Sequence, residues 1–75
     1  MSIVLYVGGS RDGEMGSMPW GLRKSMLETE NGPEIYVERM LPLCGMGTVR
    51  VMALESLQDD AASARAVKHY AARRN

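Results

Sequence analysis

Seventy-five residues allow one domain, residues 1–75, with no second core. Nine basic residues balance nine acidic ones, which excludes the charge of an acidic nucleic-acid mimic and of a generic basic nucleic-acid binder. Apolar residues make up 45% and charged residues 24%, the usage of a soluble globular domain. Phe is absent, the aromatics are Tyr6, Trp20, Tyr36 and Tyr70, and seven Met residues stand in their place. Met fills irregular gaps but specifies packing poorly, so a thin core is expected, completed by a second copy in a homodimer.

Residues 3–7, Ile-Val-Leu-Tyr-Val, are β-branched and aromatic and stop at Gly8-Gly9. They read as a strand, apolar on both faces and therefore central. Residues 8–16 hold four glycines around Asp12-Gly13, the chemistry of a tight hairpin. Residues 15–27 are ambiguous, because Pro19 and Gly21 disfavour a helix through the middle. A strand around 18–22 or a helical turn around 22–27 both fit. Residues 28–34 read as a polar turn. Residues 34–41 then alternate, with Ile35, Val37 and Leu41 on one face and Arg39 as the exception. Pro42 should end the pairing or mark an edge. Residues 43–47 read as a flexible connection. Residues 48–54 alternate again, Val49, Val51 and Ala53 against Arg50, Met52 and Leu54. Together these two runs predict an antiparallel hairpin.

A helix is expected over about 57–73, with Ser56 as N-cap and Asp59 and Asp60 in the first turn. Leu57, Ala61, Ala64, Val67 and Ala71 form its apolar stripe. The fold class is therefore α+β: a small antiparallel sheet of three to four strands covered by one C-terminal helix.

No catalytic constellation emerges. After the first strand the glycines invite comparison with a phosphate loop, but Glu14 stands where that pattern needs lysine. His69 is the only histidine, and its helical neighbours Arg65 and Arg73 offer no carboxylate to orient it, so it reads as a solvated surface residue. Cys44, the only cysteine, has no adjacent base. One cysteine excludes an intrachain disulfide and a cysteine-based zinc site, and makes the cytoplasm the default location. No cofactor, no metal and no membrane partner are expected, since no signal, lipidation motif or membrane-length apolar run is present.

Two surfaces invite partners. Met18, Trp20 and Met26 crowd apolar groups into the ambiguous stretch, with Arg23 beside them and Arg11 on the rim. Trp anchors interfaces and Met adapts to them. The basic surplus sits at the end of the chain: residues 56–75 carry four basic and two acidic groups. There Arg65, Lys68, Arg73 and Arg74 could meet phosphates.

The run Tyr6-Val7-Gly8-Gly9-Ser10-Arg11-Asp12-Gly13-Glu14 resembles a motif near the start of small orphan accessory proteins of tailed bacteriophages, with Ser10 where those proteins usually have Pro. Residues 34–41 and 49–60 are also similar. The resemblance implies a binder rather than an enzyme and transfers no catalytic residues; inhibitors of host machinery and of antiviral defence, anti-CRISPR proteins among them, belong to this group. The leading expectation is thus a non-enzymatic module that sterically blocks a bacterial host or defence protein. The alternatives are nucleic-acid binding through the basic helix and a homo-oligomeric structural or virion-associated role.

Overall fold

In a computed structural model of the chain, residues 2–18, 21, 23–43 and 45–73 are described. Among them, five strands precede one helix: β1 (Ser2–Val7), β2 (Met15–Met18), β3 (Lys24–Thr29), β4 (Gly32–Leu43), β5 (Gly47–Leu54) and α1 (Asp59–Arg73). The sheet order is β2-β1-β5-β4-β3. Every neighbour pair is antiparallel except β1 and β5, which run parallel. The class is α+β, as expected, but the sheet has five strands and is mixed rather than wholly antiparallel. β1 lies between β2 and β5, which suits a strand apolar on both faces.

The two added strands come from the ambiguous stretch. Residues 24–29 are extended, not a helical turn, because they pair with β4 from Lys24↔Val37 to Thr29↔Gly32. The expected polar turn at 28–34 shrinks to Glu30-Asn31, a two-residue hairpin loop. β4 runs through Pro42, which pairs with Thr48 of β5. Pairing of β3 with β4 stops near Val37, so Pro42 lies where β4 is itself an edge, the place a missing N–H is tolerated.

The register forces the sheet to curl. Met18 is level with Ser2, whereas Lys24 is level with Val37, Ala53 and Val7. In a flat sheet, four strand spacings and five residues of rise would set Met18 and Lys24 about 25 Å apart. The six peptide steps joining them reach about 22 Å at full extension. The sheet therefore bends into a half-barrel.

Curling makes two cores. On the helix side, Leu5, Val7, Leu41, Leu43, Val51 and Ala53 pack against Ala62 and Ala66 of α1, with Leu57 and Tyr70 at the margin. Inside the curl, Val4, Tyr6, Met18, Tyr36 and Met52 form a second buried cluster to which no residue of α1 belongs. Tyr6 and Tyr36 meet edge to face at 5.3 Å.

The helix starts at Asp59, so Gln58, whose carbonyl accepts the Ala62 N–H at 2.8 Å, holds the cap position rather than Ser56. Its buried face is Ala62 and Ala66, one residue away from the expected stripe of Ala61, Ala64, Val67 and Ala71; Ala64, Val67 and Ala71 are exposed. Alanine on almost every face lets apolar periodicity choose no single rotation. Polar ties choose it: Arg39 Nη1 donates to Asp59 Oδ1 at 2.9 Å at one end, and His69 Nε2 lies 3.0 Å from Asp12 Oδ2 at the other. Arg39, the exception on an apolar strand face, also donates to the carbonyls of Leu54 and Glu55, so it ties the end of β5 to the start of the helix.

Candidate functional site

The glycine-rich loop between β1 and β2 is already filled with carboxylates. Residues 9–11 form one 3-10 turn. The Gly8 N–H donates to Asp12 Oδ1 at 2.7 Å, and the Ser10 N–H donates to Glu34 Oε1 at 3.0 Å. The Arg11 N–H donates to Tyr36 Oη at 3.1 Å, and Tyr36 Oη donates in turn to the Gly8 carbonyl at 2.9 Å. Amides that could cradle a phosphate are thus spent on the chain's own side chains. Gly9 is required there: it has φ +67°, and a Cβ would lie 2.7 Å from Tyr36 Oη.

Asp12 brings His69 a carboxylate that helical spacing did not offer. It comes from 57 positions away, a pairing no local pattern discloses. His69 is half-buried, with a side-chain exposure of 24%, and is not a solvated surface residue. Asp12 Oδ2 also lies 3.6 Å from Arg65 Nη1. Burial pushes the Asp12 carboxyl up, but the Gly8 N–H, His69 and Arg65 together outweigh it and hold the group below its ordinary value. Asp12, Arg65, Lys68 and His69 line an open depression of about 430 Å³ with Ala61 and Ala64. Asp12 offsets part of its positive charge, which weakens it as a phosphate site. Among the described residues no three His, Cys, Asp or Glu side chains converge on a metal-sized point.

The predicted partner residues separate. Met18 is 4% exposed and accepts a hydrogen bond from Tyr6 Oη at 3.3 Å, so it belongs to the curl's core and presents nothing to a partner. Arg11 stacks over the Tyr6 ring at 3.6 Å and pairs with Glu14, which makes it a cover for that core. Trp20 and Arg74 lie outside the described residues, as does Cys44. Arg23 is exposed, 4.0 Å from Glu38, and Glu38 is bonded to Arg50 across the β4–β5 ladder. Lys68 is exposed; Arg65 faces Asp12; the Arg73 backbone ends the helix.

Met26 is the predicted residue that the fold leaves open. It sits in β3, the last strand of the sheet, beyond the helix, and is 62% exposed. It pairs with Ile35 of β4. Together with Lys24 and Ser25 these two residues line a shallow apolar depression of about 330 Å³. Sequence reasoning missed Lys24, Glu28 and Ile35 as its neighbours, because it did not resolve β3 as a strand. Its two faces, Lys24, Met26 and Glu28 against Ser25, Leu27 and Thr29, do not separate apolar from polar residues, so the sequence carries no period-2 signal there.

No protein-family model, no curated protein and no solved structure matches the chain. No helix among the described residues is long and apolar enough to cross a membrane.

Proposed function

We propose that the protein is a non-enzymatic protein-binding module that acts by occupying a partner's surface, and that the β3 margin is where it docks. The observation that carries this reading is Met26, a large apolar side chain left open on a sheet edge beside Ile35. Edge strands offer unpaired backbone groups whose hydrogen bonds give an incoming strand its affinity, and an apolar side chain on that edge gives the encounter its specificity. Arg23 and Lys24 add a polar rim. The resemblance of the Tyr6–Glu14 run to bacteriophage accessory proteins directs the search to bacterial host and antiviral-defence proteins, which the module would inhibit sterically.

The test compares the wild type with Met26→Asp as bait in a bacterial lysate, alongside thermal melts of both. A partner that the wild type retains and the variant loses, with the melt unchanged, supports the reading. Retention of every bound protein by Met26→Asp would overturn it.

A further inference from the structure

We infer that β3 is a self-complementary edge and that its occupant is a second copy of the chain, joined to the first by an antiparallel β3–β3 pairing centred on Met26. The inference rests on the reading of β3 as a docking edge, and self-pairing would compete with a foreign partner for it.

Backbone geometry comes first. The Arg23 carbonyl accepts the Glu38 N–H at 2.8 Å, so residue 23 exchanges its polar groups inward with β4. Antiparallel pairing alternates, so Ser25, Leu27 and Thr29 also face β4. The Thr29–Gly32 pair, which closes a two-residue hairpin, has the same parity. The N–H and C=O groups of Lys24, Met26 and Glu28 therefore point away from β4. β3 ends the sheet, so no further strand meets them among the described residues.

Charge then selects the register. Antiparallel pairing about a two-fold axis through Met26 sets Met26 against Met26 of the second copy. Lys24 of each copy then faces Glu28 of the other. The three facing pairs are those whose backbone groups point outward, so each pair can exchange both of its hydrogen bonds. Opposite charges directly across a ladder are favourable and like charges are not. Slipping the register by one such pair sets Met26 against a charged residue, so this alignment alone matches both charge and polarity. Glu28 has no ion partner among the described residues, while Lys24 reaches only the exposed Glu55, at 3.4 Å. Lys24, Met26 and Glu28 share one face of the strand, so the two Met26 side chains would lie together with Ile35 of each copy flanking them. The two depressions beside Met26 would close over each other. Six residues of edge make a small interface, so the dimer should be concentration-dependent.

Sedimentation velocity over a wide concentration range tests this with two charge variants. Glu28→Lys alone places lysine against lysine twice and should weaken dimerisation at least about tenfold. Lys24→Glu alone places glutamate against glutamate and should do the same. Mixing the two variants restores both opposite-charge pairs and should give a heterodimer where each alone stays monomeric. Thermal melts of each variant verify folding. A wild type that remains monomeric throughout, a dimer indifferent to both substitutions, or a mixture that fails to associate would each overturn the inference. If the wild type is monomeric but Met26→Asp still loses a foreign partner, the docking reading stands and the self-pairing falls.

Discussion

The two cores of this protein bury comparable side chains by different means. On the helix side, aliphatic residues of β1, β4 and β5 meet two alanines, and removal from water does most of the work. Inside the curl, two tyrosines and two methionines are buried in a cluster that includes no helix residue, and their polar atoms must be satisfied in place. Tyr36 Oη meets the Gly8 carbonyl and the Arg11 N–H, and Tyr6 Oη meets Met18 Sδ. The first core should tolerate apolar swaps that conserve volume. The second depends on a glycine loop folded to the right shape. The loop in turn is held by Asp12, which ties it to the helix, so the second core is supported through the far side of the sheet.

Emptying the helix-side core should cost more than removing one hydroxyl from the other. Leu41→Ala removes a side chain 2% exposed in the middle of that cluster, and should destabilise by about 2–5 kcal/mol in denaturant unfolding. If the loss were as small as that of a surface change, the division of labour between the cores would be wrong. Tyr36→Phe probes the other core without changing its volume. It leaves the Gly8 carbonyl and the Arg11 N–H without their partner, and should cost about 1–3 kcal/mol. The same variant has a signature in alkali. Burial raises the Tyr36 pKa, Glu34 adds to the rise, and the Arg11 N–H opposes it. The folded state thus holds the phenol proton more tightly than the unfolded chain does. That stabilisation is complete below the ordinary tyrosine pKa near pH 10 and is lost as pH climbs through the folded value. The wild type should therefore weaken above pH 10 more steeply than Tyr36→Phe, as read by unfolding midpoints across that range.

The helix-side core was the legible half of the molecule. Alternation over residues 34–41 and 48–54 marked β4 and β5, and the continuous run at 3–7 marked β1. These signals survive because each face of those strands has one fate. What stayed hidden was whatever depended on partners far along the chain. β2 and β3 are short, show no apolar alternation and flank Pro19 and Gly21, so only their pairing with β1 and β4 makes them strands. The parallel pairing of β1 with β5 has no local signal, since pattern shows that a strand exists and not which neighbour it takes. Met18 and Met26 look alike in sequence, yet the register of β2 turns one into the curl and that of β3 turns the other outward. The helix could be found but not rotated, because its alanines are spread around it. His69 could be listed but not assigned a partner, because Asp12 reaches it only once the loop and the helix are both in place.

The link between the two cores can be weakened without removing either. Asp12→Asn keeps an oxygen to accept the Gly8 N–H and discards the charge that faces His69 and Arg65. The Asp12 carboxyl is held below its ordinary value in the folded state. Its contribution is therefore present above the unfolded carboxylate pKa and is lost as pH falls through the folded one. Asp12→Asn should cost no more than about 1 kcal/mol near neutrality, as befits partly exposed ion pairs. It should also reduce the slope of stability against pH below about pH 4, where the wild type loses the interaction by itself. Stability curves of the two proteins that stay parallel through that acid range would mean that neither the Gly8 N–H nor the helix cations favour the ionised carboxylate, and that Asp12 does not tie the loop to the helix.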